Sequence, residues 1–109
     1  MIDVAPRHLR TVLHILARIV PGCEARVFGS RVSGTAKASS DLDLAVVCEG
    51  RMDFDTLRLL REAFEESDLP FRVDVLDWHA VSDTFRRVIE AGYEALPTDG
   101  DDGETESQR

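Results

Sequence analysis

The sequence is poor in positive charge, in aromatic side chains and in long apolar runs. Acidic residues outnumber basic ones by 21 to 13, and the formal net charge is −8. This charge argues against a nucleic-acid-binding surface, because such a surface needs a basic stripe that faces the phosphates. No apolar run approaches the roughly 20 residues of a membrane-spanning helix, and the N-terminus lacks the basic-then-apolar pattern of a secretory signal. We therefore expect a cytoplasmic protein that binds neither nucleic acid nor membrane.

The composition is typical of one small folded domain. The 109 residues are 43% hydrophobic and 31% charged, which is ordinary for a globular protein with a modest core. Residues 98–109 are polar and acidic and are predicted to form a disordered tail, so the domain is predicted to span residues 1–97. Periodicity predicts three main helices, at about residues 6–20, 53–67 and 83–91. Apolar alternation predicts three strands, at about residues 25–28, 41–47 and 71–76.

The end of this domain carries apolar residues without an obvious cover. The last predicted helix is expected to turn Phe85, Val88 and Ile89 toward the core. Tyr93 and Leu96 follow it, and no further element is predicted to cover them. The sequence therefore predicts that these two residues form a contact patch for another protein or for a second copy of the chain. The alternative is that they fold back over the edge of the sheet.

The stretch at residues 27–47 organises the chain. A short apolar run stops at Gly29-Ser30, ten residues follow, and Asp41-x-Asp43 opens a second apolar run. Gly29 lets the backbone approach a bulky anion because it has no Cβ, and Ser30 can cap a helical turn whose N–H groups face that anion. Asp41 and Asp43 are two apart on a strand and so project from one face. Adjacent carboxylates repel each other unless a cation lies between them, and such oxygen ligands suit Mg²⁺ that holds substrate phosphates.

Two further residues belong to the candidate site. Asp74 lies inside the apolar run Val73-Asp74-Val75, where an acid is costly without a partner or a metal. Arg31 follows the Gly-Ser pair and could grip phosphate oxygens with its planar fork of donors. The plain alternatives are a solvated strand start for the acid pair, an ordinary turn for the Gly-Ser pair and a surface position for Arg31.

These positions also constrain the topology. Gly29 and Ser30 end the first strand, while Asp41 and Asp43 begin the second. If the two strands are neighbours, both pairs can meet one phosphate chain only when the strands run antiparallel. Asp74 must then come from a strand next to them. The result is a short mixed sheet with helices packed on one face, a two-layer arrangement.

The same topology places Cys23 and Cys48 together at the end of the sheet opposite the site. They could therefore approach each other, but they show no C-x-x-C spacing and no catalytic partner motif. Because a cytoplasmic context keeps thiols reduced, two free and semi-buried thiols are expected.

The spacing of Gly29-Ser30, ten residues and Asp41-x-Asp43 resembles the signature of the DNA polymerase beta nucleotidyltransferase superfamily. The compact chain is similar to the smallest branch of that superfamily, the minimal nucleotidyltransferase (MNT) domains. Asp74 stands where the family carries its third carboxylate. The motif is specific when both strands and the third acid are present.

The resemblance covers about residues 7–96 and implies a fold, cofactors and residue roles. The implied fold is an α+β, two-layer nucleotidyltransferase fold with a short mixed sheet. The implied cofactors are Mg²⁺, as two ions, and ATP as the substrate nucleotide. The implied catalytic and metal-binding residues are Asp41, Asp43 and Asp74, and the implied nucleotide-binding residues are Gly29, Ser30 and Arg31.

The reaction implied by the resemblance is transfer of AMP from ATP to a hydroxyl acceptor, which attacks the α-phosphate in line as pyrophosphate leaves. In this family, MNT proteins are commonly antitoxins that adenylylate a tyrosine on an all-helical HEPN ribonuclease. The expected partner is therefore a HEPN toxin, and a homo- or hetero-oligomer is an open possibility. Two other hypotheses also stay open. One is a non-catalytic antitoxin or binding module that neutralises its partner by occlusion, and the other is a small-molecule (antibiotic) adenylyltransferase that needs a partner subunit.

Overall fold

A computed structural model describes residues 2–96 of the chain. The predicted tail at residues 98–109 lies outside the described residues, so the proposed domain limits stay a prediction. None of the helices formed by the described residues has the length and apolar character needed to cross a bilayer. The helices are α1 (Pro6–Ile19), α2 (Ser30–Ser33), α3 (Phe54–Glu65) and α4 (Asp83–Glu90), and the strands are β1 (Glu24–Phe28), β2 (Leu42–Val47), β3 (Val73–Asp77) and β4 (Tyr93–Leu96).

The described strands form one mixed sheet in the order β3-β2-β1-β4. Strand β2 runs antiparallel to β1, as the argument from the candidate site predicted, and it runs parallel to β3, the adjacent strand that supplies Asp74. Strand β4, which was not predicted, runs antiparallel to β1 on its other side. The α+β class and the mixed sheet are therefore confirmed.

Helices α1 and α3 cover one face of the sheet and build the main core. Helix α1 begins with Pro6, whose fixed φ suits a first helical position. Alternate residues of each strand turn to this face because the side-chain period of a strand is two. The buried residues of this core are Val12, Ile15, Leu16, Val20, Ala25, Val27, Leu42, Leu44, Val46, Leu60, Phe64, Val75 and Leu96.

Helix α4 lies on the opposite face, so the predicted one-face packing holds for α1 and α3 but not for α4. Ile89 packs with Phe28 and Ala45, whose side chains point away from α1 and α3. Of the three α4 residues predicted to be buried, only Ile89 is. Phe85 is 36% exposed and Val88 is 58% exposed, because the short helix turns one narrow stripe to the sheet.

Strand β4 removes the contact patch predicted at Tyr93 and Leu96. Leu96 pairs with Ala25 of β1 and is buried in the main core, and Tyr93 pairs with Phe28 and is half-buried. The patch prediction was wrong for these two residues, and the alternative of folding back over the sheet edge was right. The four residues of β4 carry no local signal strong enough to show that pairing with β1 would extend the sheet.

Cys23 and Cys48 are joined by a disulfide bond, which corrects the prediction of two free thiols. Each residue flanks the first pair of the β1–β2 ladder, Glu24 opposite Val47, so the two cysteines continue that ladder as facing residues. Their Cα atoms are 4.5 Å apart. The predicted approach of the two residues at the end opposite the candidate site is thus confirmed.

Replacing both cysteines by serine is expected to lower the free energy of unfolding. The bond spans a sequence separation of 25 residues, and cross-linking a loop of this length lowers the entropy of the unfolded chain by an amount that stabilises the fold by about 3.5 kcal/mol. Urea unfolding with and without a reductant measures the effect, and the reductant should shift only the wild type. A wild-type midpoint that the reductant leaves unchanged would contradict the prediction.

Candidate active site

The register of the sheet brings two of the predicted acids side by side. Asp43 of β2 is paired with Phe28 of β1 on one side and with Asp74 of β3 on the other. Residues paired across neighbouring strands project from the same face, so the two carboxylates share one face of the sheet. Asp41 precedes β2 by one residue, and its charge acts on Asp43 as well. The fold therefore gathers the three acids that the sequence analysis selected.

Burial and two like charges act on the carboxyl group of Asp43. Desolvation is the largest effect, the charge of Asp74 the next and the charge of Asp41 the third, and all three raise the pKa of Asp43 above its ordinary value of 3.8. Each effect disfavours the ionised form of this group. A cation bound beside Asp43 would favour the ionised form of its carboxyl group. It would also reduce the repulsion between this group and the other two carboxylates.

Gly29 is held against Asp43 at the turn from β1 into α2. Its φ of 82° and ψ of −154° form a combination that is almost restricted to glycine. A Cβ at this position would lie 3.3 Å from Cγ of Asp43 and would overlap Oδ2. Glycine is therefore required here by the backbone and by the neighbouring carboxylate. The sequence predicted that the backbone at Gly29 approaches an anion closely. In the structure Gly29 lies close to the side chain of Asp43.

Ser30 does not cap the helix as predicted. Gly29 occupies the N-cap position, Ser30 is the first residue of α2, and no side chain makes a capping hydrogen bond there. The first N–H groups of a helix have no carbonyl partner within it. The backbone of this turn, more than the Ser30 hydroxyl, is thus the local feature suited to an anion.

Arg31 was predicted to hold phosphate, and the structure gives it a different role. Its side chain is buried, with only 6% of the residue exposed. Its Nη1 donates to the Asp3 carbonyl (2.7 Å), and its Nη2 donates to the carbonyls of Ser40 (2.8 Å) and Ala38 (3.1 Å). The guanidinium also lies over the ring of Phe71, 4.3 Å from its centroid. Arg31 therefore fixes the loop between α2 and β2, and its donors are committed to that loop.

Asp41 also makes a long ion pair with Arg72. Nε of Arg72 lies 3.7 Å from Oδ2 of Asp41, and these side chains are 75% and 45% exposed. Within residues 2–96, no three His, Cys, Asp or Glu side chains are arranged around a common metal position. The donor set still fits Mg²⁺, because it consists of carboxylate oxygens and because burial and the charges of Asp74 and Asp41 raise the pKa of Asp43. The roles of the three acids as metal ligands remain a proposal.

Arg72 is a candidate functional residue that the sequence analysis missed as part of the site. It directly precedes Val73 in the sequence, and nothing in that local pattern connects it to Asp41. The signal that could have found it is the predicted adjacency of the two strands, which the structure shows to be parallel, with residue 72 beside the start of β2. The Arg72 carbonyl indeed accepts the N–H of Leu42 at 2.8 Å.

Asp77 is the last residue of β3 and has a structural role. It is 4% exposed and accepts the N–H groups of Met52 (2.8 Å) and His79 (3.1 Å). It ties the start of α3 to the end of β3, far along the strand from the acids.

Residues 24–96, from the first residue of β1 to the last of β4, match the polymerase beta nucleotidyltransferase family. The chain belongs to this family. It is also 48% identical over 92 residues to Probable protein adenylyltransferase MntA of Haemophilus influenzae, a match that covers 84% of this chain and 81% of the relative. Every predicted site residue of this nucleotidyltransferase lies within the matched region, whereas α1 lies outside it.

Two solved structures resemble this nucleotidyltransferase. A minimal nucleotidyltransferase structure has 34% sequence identity and a TM-score of 0.56, covering 87% of this chain and 95% of the other. A crystal structure of a toxin-antitoxin with AMP-PNP has 23% identity and a TM-score of 0.68, covering 79% of this chain and 69% of the other. The first confirms the minimal nucleotidyltransferase fold, and the second shows the same fold at low identity.

Proposed function

We propose that this chain transfers AMP from ATP, in the presence of Mg²⁺, to a hydroxyl group of a partner protein. The observation that carries the proposal is the position of Asp43, which lies between the Gly29 turn and Asp74 with its pKa raised by burial and by two neighbouring carboxylates. Such a group is poised to bind a cation beside an anion-binding turn. Sequence similarity to a protein adenylyltransferase supports the same reaction.

The proposed role of each site residue follows from its position. Asp41, Asp43 and Asp74 would hold Mg²⁺, and the backbone from Gly29 to Ser30 would orient the triphosphate. When bound, Mg²⁺ neutralises charge on the phosphates and lowers the pKa of the attacking hydroxyl. Asp74, the outermost acid, would accept the proton of that hydroxyl. The oxygen of the acceptor then bonds to the α-phosphorus, the bond from this phosphorus to the bridging oxygen breaks, and pyrophosphate leaves.

The acceptor that fits best is a protein. The similar MntA is named a protein adenylyltransferase, and the resemblance to MNT domains implies a tyrosine of a helical HEPN ribonuclease. We therefore propose that the chain is the antitoxin of such a toxin and works in the cytoplasm, where ATP and the toxin's RNA substrate occur. Inhibition by occlusion alone is less favoured, because all three acids and the glycine turn are retained. Transfer to a small molecule has no specific observation in its favour.

The test is incubation of the purified protein with α-labelled ATP, Mg²⁺ and the protein encoded beside it. The expected result is a covalent AMP group on that partner, located by peptide mass spectrometry, and its loss when EDTA replaces Mg²⁺. A partner that is bound and inhibited but never labelled would show occlusion instead. Label that accumulates on an added aminoglycoside, and on no protein, would show a small-molecule transferase.

A further inference from the structure

The guanidinium of Arg31 is buried among backbone carbonyl groups. Within residues 2–96 its hydrogen bonds all end on main-chain oxygens, which are those of Asp3, Lys37, Ala38 and Ser40. Ser40 accepts twice, from Nε at 3.1 Å and from Nη2 at 2.8 Å. A buried guanidinium that loses its acceptors is costly. These contacts therefore hold stretches of main chain at fixed positions around the side chain.

One of these stretches leads directly into the acids of the site. Ser40 precedes Asp41, and Asp41 precedes the first residue of β2. The pairing of β2 with β1 and β3 fixes Asp43 from both sides. That pairing reaches back along β2 to Leu42, one residue short of Asp41. The position of Asp41 therefore depends on the loop that carries Ser40.

The loop that carries Ser40 is exposed and has small side chains. Residues 37–39 are exposed, and residues 38–40 are one alanine and two serines. Two hydrogen bonds close the loop internally, from the Ser40 N–H to the Lys37 carbonyl (3.0 Å) and from the Lys37 N–H to Oγ of Ser40 (2.8 Å). These bonds give the loop its shape. The donors of Arg31 then place the loop against the rest of the molecule.

Two other segments meet at the same side chain. Phe71, whose ring centroid lies 4.3 Å from the guanidinium carbon, comes just before β3. The N-terminal segment pairs with Arg31 in both directions, because the Asp3 N–H donates to the Arg31 carbonyl (2.7 Å) and Nη1 donates to the Asp3 carbonyl (2.7 Å). Asp3 lies well before residues 24–96, the region that matches the family. Arg31 thus joins the N-terminal segment, the loop before β2 and the connection into β3.

We propose that Arg31 is a positioning residue of the metal site and that Asp3 is part of its support. Arg31 acts through the Ser40 carbonyl, which it holds so that Asp41 stays beside Asp43 and both carboxylates can bind one divalent cation. This inference rests on the proposed function, since it assigns the cation to these acids. The role of Arg31 is then indirect, whereas the sequence predicted a direct contact with phosphate.

The test is the affinity of the acids for Mn²⁺, which prefers the same oxygen ligands as Mg²⁺. Mn²⁺ is titrated into the nucleotide-free, ¹⁵N-labelled full chain, and the broadening of the amide signals of residues 41–43 and 74 measures binding at the site. Arg31→Lys keeps the positive charge, but one ammonium group cannot replace a planar fork that reaches both Asp3 and Ser40. We expect this variant to bind Mn²⁺ about tenfold more weakly than the wild type.

Arg26→Lys is the matched control for the loss of a packed guanidinium. The Arg26 side chain is only 17% exposed, and its guanidinium carbon lies 4.7 Å from the ring centroids of both Trp78 and Tyr93. This variant is expected to lose stability in urea unfolding and to bind Mn²⁺ as the wild type does. Unchanged Mn²⁺ affinity in Arg31→Lys would overturn the proposal. If the KM for ATP rose while the Mn²⁺ affinity stayed the same, Arg31 would instead contact phosphate directly.

A substitution at Asp3 tests the same role without changing Arg31. Asp3 is exposed, and proline at this position removes the N–H that donates to the Arg31 carbonyl. Asp3→Pro is expected to weaken Mn²⁺ binding by about threefold, since the pair loses one of its two hydrogen bonds. Asp3→Ala removes the exposed carboxylate but keeps the N–H, so it should match the wild type. Equal Mn²⁺ affinities of the two Asp3 variants would overturn the proposal, and this pair decides it if Arg31→Lys does not fold.

The rate of AMP transfer is measured separately on the same proteins. A wild type that binds Mn²⁺ at the acids but labels no partner would contradict the proposed transfer alone, and the metal affinities would still test Arg31. A wild type that leaves the signals of residues 41–43 and 74 unbroadened at millimolar Mn²⁺ would overturn the metal site and the role of Arg31 together.

Discussion

Asp43→Asn is expected to lower AMP transfer by about three orders of magnitude, because a metal ion supplies several kcal/mol of charge stabilisation in the transition state. Asparagine keeps the shape of the side chain but removes the charge that a cation requires. The first measurement is the initial rate of labelling of the partner protein, and the second is calorimetric titration with Mg²⁺ and ATP. Glu90→Gln is the control, since it also converts a carboxylate into an amide, but at an exposed position on the last turn of α4. Undiminished transfer by the Asn variant would exclude Asp43 as a ligand.

The same substitution is expected to stabilise the protein at neutral pH in the absence of metal. The pKa of folded Asp43 is raised above 3.8 by burial and by the charges of Asp74 and Asp41. The folded state therefore binds more protons than the unfolded state between 3.8 and that raised value, and stability falls as pH rises through this window. Above the window the ionised carboxylate of Asp43 destabilises the fold. Asparagine does not ionise, so the variant is not destabilised in this way.

Thermal unfolding at several pH values measures this effect. The Asn variant should be more stable than the wild type at pH 7, and the difference should disappear as the pH falls toward 3.8. Added Mg²⁺ should raise the melting temperature of the wild type and leave that of the variant unchanged. A variant that melts below the wild type at pH 7 without metal would show that the Asp43 carboxylate has a stabilising partner.

Gly29→Ala is expected to cause the second largest loss of activity, on the order of a hundredfold, because the new Cβ displaces the group on which the reaction depends. The Cβ would overlap Oδ2 of Asp43, so this carboxylate must leave its position. The substitution also places alanine at φ 82° and ψ −154°, which costs about 1–3 kcal/mol of stability. Urea unfolding and the rate of AMP transfer measure the two effects.

Gly22→Ala is the matched control for the backbone effect. Gly22 has a φ of 84°, close to that of Gly29, but a Cβ at Gly22 would meet nothing within 4 Å. It should lose about 1 kcal/mol of stability through its positive φ and keep its rate of transfer. If Gly29→Ala retained the wild-type rate with an equal loss of stability, the approach of Gly29 to Asp43 would have no part in catalysis.

The local sequence was sufficient to predict most elements and the acids of the site. Helix α1 could be predicted because Pro6 and a repeating apolar stripe define it, and α4 because Ser82 accepts the N–H of Phe85 in its first turn. The placement of Asp74 on a strand next to Asp41 and Asp43 followed from one chemical requirement, that the acids of both strands meet the same phosphates. Such features are encoded within a few residues or by the chemistry of a single site.

Contacts between distant segments could be decided only by the tertiary structure. Arg31 is adjacent to the Gly-Ser turn in sequence, yet its guanidinium donates hydrogen bonds to the carbonyls of Asp3 and Ser40. Tyr93 and Leu96 could be placed only once β1 was known to have a free edge. In each case the isolated segment could have bound a different partner. The actual partner was determined by the backbone N–H and C=O groups that still needed a hydrogen bond once the sheet and loops had formed.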